Sequence, residues 1–138
     1  MNTPARPRLR PEIWLLAMAA VLLLAQSIFH ILAFPRLDDG LNDLAALTLR
    51  APLPDFDVLR GAWMLYAIHL LIAALLCGAC AVSPRLFGRG LRVALCVWLV
   101  LDTLVLLYFV GPFLGSILMG LAAAAVLIAA LWPRSLDD

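Results

Sequence analysis

The sequence predicts an all-α integral membrane protein. It reads as a four-transmembrane-helix, up-down-up-down bundle with a short amphipathic surface helix in the first outer loop. Three observations carry that prediction. Apolar residues make up 65% of the 138-residue chain. They fall into four blocks, at 13–34, 62–82, 91–110 and 112–132. Each is close to the roughly 20 residues that cross ~30 Å of hydrocarbon as a helix. Only 14% of the residues are charged, too few to coat a water-soluble domain, and the mean hydropathy is +1.04. In lipid a helix satisfies its own backbone hydrogen bonds, so each block is assigned as one.

A chain of this length is one domain. Its expected order is TM1 at 13–34, an outer loop at 35–61, TM2 at 62–82, an inner loop at 83–90, TM3 at 91–110 and TM4 at 112–132. TM1 follows a basic tail, as a signal peptide would. Apolar residues resume beyond Gln26 and Ser27, and no small-x-small cleavage site is well placed, so TM1 reads as uncleaved. Pro35 is expected to end TM1, because it lacks the N–H that a helix interior needs. The outer loop carries Leu41, Leu44, Leu47 and Leu49 behind Asp38 and Asp39. That pattern predicts a short helix lying flat at the outer boundary, broken by Pro52 and Pro54. Trp63 opens TM2 as an interfacial anchor. Gly111 and Pro112 make a tight hairpin, with Pro112 expected in the first turn of TM4.

Arginine sets the orientation. Arg6, Arg8, Arg10, Arg85, Arg89, Arg92 and Arg134 lie on one side, and Arg36, Arg50 and Arg60 on the other, beside five aspartates. The positive-inside rule puts both termini in the cytoplasm. All ten basic residues are arginine, and alanine and leucine abound. This suggests a GC-rich bacterial genome, and hence the cell inner membrane. No basic patch with interleaved aromatics points to nucleic acid.

Chemistry concentrates in a few polar residues within the apolar blocks. Gln26, His69 and Asp102 lie roughly 10–12 Å in from the outer helix ends, and His30 roughly 6 Å in. Gln26 and His30 share a face of TM1, four residues apart. Tyr66 and His69 share a stripe of TM2. Asp102 is the costliest, about 2.5–3.5 kcal/mol at a helix centre, which a partner would offset. His69 is the expected partner, sharing a proton or an ion pair, and Trp98 one turn away is placed to donate to the carboxylate. The five residues Gln26, His30, Tyr66, His69 and Asp102 form a candidate ligand or proton site. Four of them also have a structural reading: His30 as a headgroup-facing histidine, and Gln26, His69 and Asp102 as hydrogen-bonded packing residues.

Ala74 and Gly78 in TM2, and Ser116, Gly120 and Ala124 in TM4, are small residues at four-residue spacing, a helix-packing signal. Cys77 and Cys80 have CxxC spacing but sit at the helix end where the dipole does not activate a thiol. With Cys96 they read as packing residues. No P-loop, dinucleotide fingerprint, hydrolase elbow or HExxH motif is present.

The leading expectation is therefore a non-enzymatic accessory protein with no cofactor and no metal. Its partners would be the bilayer and either a second copy or another membrane protein. The alternative is a small oligomeric proton-coupled transporter or ligand-binding protein using Asp102 and His69. A further alternative is a haem or metal protein using His30 and His69.

Overall fold

A computed structural model describes residues 10–47, 56–83 and 86–132. Arg6, Arg8, Arg50, Arg85, Arg134, Asp55, Leu49 and the proline break at 51–54 lie outside the described residues. The described chain is four helices: α1 (Pro11–Leu47), α2 (Phe56–Val82), α3 (Arg89–Phe109) and α4 (Leu114–Leu131). All four are long and apolar enough to cross a membrane.

Packing follows the chain in part. α1 packs most extensively against α2, and α4 packs against both α1 and α3. The α2 and α3 backbones approach each other at few points. The order around the bundle is thus α2, α1, α4, α3, with a sparse seam between α2 and α3. The α1–α2 pair is antiparallel. Trp63 bonds to His30, Ser27 bonds to Ala67, and the Cβ position of Gly78 meets Ala20.

The core is built from Leu16, Leu23, Leu70, Leu95, Leu99, Met119 and Val126, with small residues between them. The outward faces remain apolar: Val21, Leu32, Leu65, Leu75, Val105 and Leu114 are exposed on the four helices. A continuous apolar exterior of this kind suits hydrocarbon rather than water. Four such helices support a multi-pass membrane protein.

Two boundaries differ from the sequence expectation. The first helix does not end at Pro35, and the separate surface helix does not exist. α1 runs through Pro35 to Leu47 as one helix of 37 residues. Its length is roughly 55 Å, well beyond the ~30 Å of hydrocarbon. Proline deprives only the Ile31 carbonyl of its usual donor, and contacts beyond it hold the helix together. Leu41 is buried, and Arg60 of α2 reaches across. Arg60 Nε donates to Asp38, Nη2 donates to Asn42 Oδ1 at 2.7 Å, and Nη1 donates to Asp57 at 2.8 Å. This guanidinium ties the extension of α1 to the start of α2. Arg60→Gln is expected to speed amide hydrogen exchange across 36–47 while barely moving the melting temperature. Unchanged exchange there would show that the tie is idle.

The second difference is at the α3–α4 turn. Pro112 lies before the cap of α4, not inside its first turn, because Phe113 is the N-cap and the helix starts at Leu114. Gly111 makes the reversal at φ 86°, a left-handed conformation that side chains disfavour. Its N–H reaches the Leu106 and Leu107 carbonyls. Ser116 then closes the helix start. Its Oγ accepts from Phe113 N at 3.0 Å and donates to the Phe113 carbonyl at 2.8 Å.

Four of the five small residues are used inside the chain. A Cβ added at Gly78 would lie 4.0 Å from Ala20, and one at Gly120 would lie 3.6 Å from Thr103. Ala74 is buried and Ser116 serves as a cap, while Ala124 is exposed. Gly78→Ala and Gly120→Ala are therefore expected to fold normally. Each should gain up to about 1 kcal/mol from helix propensity. A marked drop in thermal stability for either would reveal a second copy pressed against these glycines.

Candidate functional site

The polar residues of three helices meet beside the sparse α2–α3 seam. His69 of α2 and Asp102 of α3 are joined directly, with Nε2 2.6 Å from Oδ2. Trp98, one turn before Asp102 on the same face of α3, donates its indole N–H to the same His69 Nε2 at 2.8 Å. The sequence placed that N–H on the carboxylate, but the structure places it on the imidazole. The reason lies in the ring packing. The His69 and Trp98 rings sit edge to face at 4.6 Å, which turns the indole N–H toward His69.

A line of rings continues from this pair into α1. Tyr66, three residues before His69, stacks on it at 5.9 Å with an interplanar angle of 16°. His30 of α1 lies 5.1 Å from Tyr66 and 4.7 Å from Trp63. His30 is thus turned inward among rings, not toward the headgroups. Its Nδ1–H donates to the Gln26 carbonyl at 2.9 Å, one helical turn back. Trp63 N–H in turn donates to the His30 carbonyl at 2.8 Å, so this tryptophan is tied to α1 in addition to any interfacial role.

Below His30, the α1–α2 contact is fixed by Ser27. Its hydroxyl donates to the Ala67 carbonyl at 2.8 Å, and both residues are buried. Gln26 beside it is 5% exposed, yet its Nε2 has no hydrogen-bond partner. The Tyr66 hydroxyl is also buried without a partner. Each buried donor left unmade costs about 1–3 kcal/mol. Two such donors flank His30, one turn below it on α1 and one ring away on α2. Both call for an acceptor, whether a ligand oxygen or a water.

All five sequence-identified residues therefore fall in one connected region. His69 and Asp102 bond directly, His30 and Tyr66 are in ring contact, and Gln26 holds His30 through its carbonyl. Sequence reasoning missed Ser27 as the α1–α2 pin, although a buried serine beside a buried glutamine was a visible signal.

The Tyr66 ring contacts the imidazoles of both His30 and His69, and His30 Nδ1 donates to the Gln26 carbonyl. Among the described residues, no three His, Cys, Asp or Glu side chains converge as a metal site. Cys77, Cys80 and Cys96 are free and buried, consistent with packing roles.

No protein-family model, curated protein or solved structure matches this chain.

Proposed function

We propose that this is a small multi-pass protein of the bacterial inner membrane that handles protons, or a proton-coupled small ligand, at the His69–Asp102 pair. Gln26, His30 and Tyr66 line the same site. The arginine bias supports cytoplasmic termini, which turns the α1–α2 connection and the Gly111 turn outward. Asp102 lies nearer that turn than the start of α3, so the site belongs to the outer half of the bilayer.

The observation that carries this reading is the company the pair keeps. A lock between helices needs only satisfied groups. Here the pair stacks against Tyr66, whose buried hydroxyl has no acceptor, and the same line of rings leads to His30, one turn from the buried Gln26 Nε2 that the protein also leaves without an acceptor. Intramembrane ionisable residues facing a bundle interior commonly mark substrate or proton paths. The accessory-protein reading loses one of its supports, because Gly78 and Gly120 pack on α1 and α3 of the same chain. A dimer through other faces remains compatible with the proposal.

The test is reconstitution of the full chain into liposomes enclosing a pH-sensitive dye, with an imposed proton gradient. Flux above protein-free vesicles is expected. It should fall at least tenfold in Asp102→Asn and in His69→Gln. Background flux in the wild type would overturn the proton reading and return the accessory role to first place.

A further inference from the structure

We infer that Asp102 is a neutral carboxylic acid donating from Oδ2 to His69 Nε2, that Trp98 imposes this state, and that this proton is the one the site loads and releases. The last clause rests on the proposed function, while the first two rest on geometry alone.

The argument is a count of hydrogens on one nitrogen. His69 Nε2 meets two neighbours, the Trp98 indole at 2.8 Å and Asp102 Oδ2 at 2.6 Å. An indole nitrogen only donates. If Nε2 carried a hydrogen, as an imidazolium or as the Nε2–H tautomer, the Trp98 hydrogen would point at it and have no acceptor. Nε2 must therefore be bare, with the ring proton on Nδ1. A bare nitrogen cannot face an ionised carboxylate at 2.6 Å, since neither supplies a hydrogen and two lone pairs would oppose each other. The hydrogen between them must belong to Asp102. Nε2 then accepts from both neighbours in a three-centre arrangement.

The surroundings agree. Of the titratable groups near the pair, Tyr66 on α2 stacks on His69 and His30 on α1 lies one ring further, against Tyr66, and neither is a fixed cation. α4, packed against α3, has no titratable side chain anywhere in Leu114–Leu131. On α3 the nearest cation is Arg92, ten residues away, about 15 Å along the helix. Among the described residues no guanidinium bonds this half-buried carboxylate, and a neutral pair avoids the cost of an ion pair in an apolar bilayer.

This makes Trp98 a positioning residue that sets the proton's location. While the indole shares the Nε2 lone pair with Asp102, moving the proton onto Nε2 would strand the indole hydrogen, so the proton stays on Asp102. When the indole swings away, the Oδ2–H bond breaks and an Nε2–H bond forms. An imidazolium–carboxylate pair results with no change in net charge. The imidazolium then presents its Nδ1 proton for release. No other reactant is required.

The test is infrared and nitrogen-15 spectroscopy on the full chain in lipid nanodiscs at neutral pH. A protonated-carboxyl carbonyl band is expected in the wild type and absent in Asp102→Asn. The chain has only two histidines, so the His69 signals are those lost in His69→Asn. They should show a bare Nε2 and a protonated Nδ1. Trp98→Phe should lose at least half of the carboxyl band and show a hydrogen on Nε2. A wild type with no such band, or with a protonated Nε2, would overturn the inference. Trp98→Phe spectra identical to wild type would overturn the role given to the indole. If Asp102→Asn fails to fold, the wild-type and Trp98→Phe nitrogen spectra decide alone. A carboxyl band without proton flux in liposomes would reject the proposed function and leave the protonation state standing.

Discussion

Replacing His69 by leucine is expected to destabilise the bundle by about 2 kcal/mol, and the double change His69→Leu with Asp102→Leu should recover about half of that. The single change strands two donors, the Asp102 hydroxyl and the Trp98 indole. Each orphaned buried donor costs about 1–3 kcal/mol in proteins generally. Side-chain hydrogen bonds between helices in lipid are worth less, on average about 0.6 kcal/mol, because the separated helices also find partners. Two donors at the lower end of the first range give about 2 kcal/mol, and the weaker bonding in lipid favours that end. Location raises the consequence, since the α2 and α3 backbones otherwise meet at few points and this bond spans the gap. The double variant removes the stranded acid and leaves only the indole unsatisfied. Replacing both members of a buried polar pair by apolar residues is typically far gentler than removing one. Unfolding of the four proteins in the same micelle closes the cycle. A His69→Leu protein as stable as wild type would show that the pair holds nothing together. A double variant that is stable but carries no proton flux would separate the pair's chemistry from its packing role.

The parts of this molecule legible in the sequence were those written in periodicity. Four helices followed from four apolar blocks, and the shared face of Gln26 and His30 followed from their four-residue spacing. The pairing of His69 with Asp102 was suggested by similar depth and by the cost of a lone carboxylate. What hydropathy could not reveal was tertiary. Helix order is invisible in it, so the sparse α2–α3 seam could not be foreseen. The continuation of α1 through Pro35 depends on Arg60, 25 residues further on, and a local rule about proline cannot weigh that contact. Ser116 looked like one of a stripe of small residues, but its hydroxyl serves the chain reversal at Gly111. Trp98 was placed on the right face of α3 with the wrong acceptor, because ring orientation decides where an indole N–H points.

Ala74→Leu is the second change expected to cost most, about 2 kcal/mol, and it should disable the site from a distance. Ala74 is 5% exposed and lies one turn before Gly78, whose Cβ position meets Ala20 at 4.0 Å. It lies two turns after Ala67, whose carbonyl receives Ser27. These residues form the stripe on which α1 rests, and its small side chains set how closely the two helices approach. A leucine here adds three carbons at a position only 5% exposed, and overpacking of this kind costs about 1–3 kcal/mol. The strain relaxes most readily by moving α1 outward. That movement stretches the Ser27–Ala67 bond and draws His30 away from Tyr66 and Trp63, while His69 and Asp102, on α2 and α3, stay joined. Ala74→Leu should therefore keep the protonated-carboxyl band of Asp102 yet lose proton flux, a combination that no substitution within the pair can give. Wild-type stability in this variant would mean that the α1–α2 contact is looser than its alanines and glycine imply. Loss of the carboxyl band together with flux would mean that α1 supports the His69–Asp102 pair as well as the donors beside it.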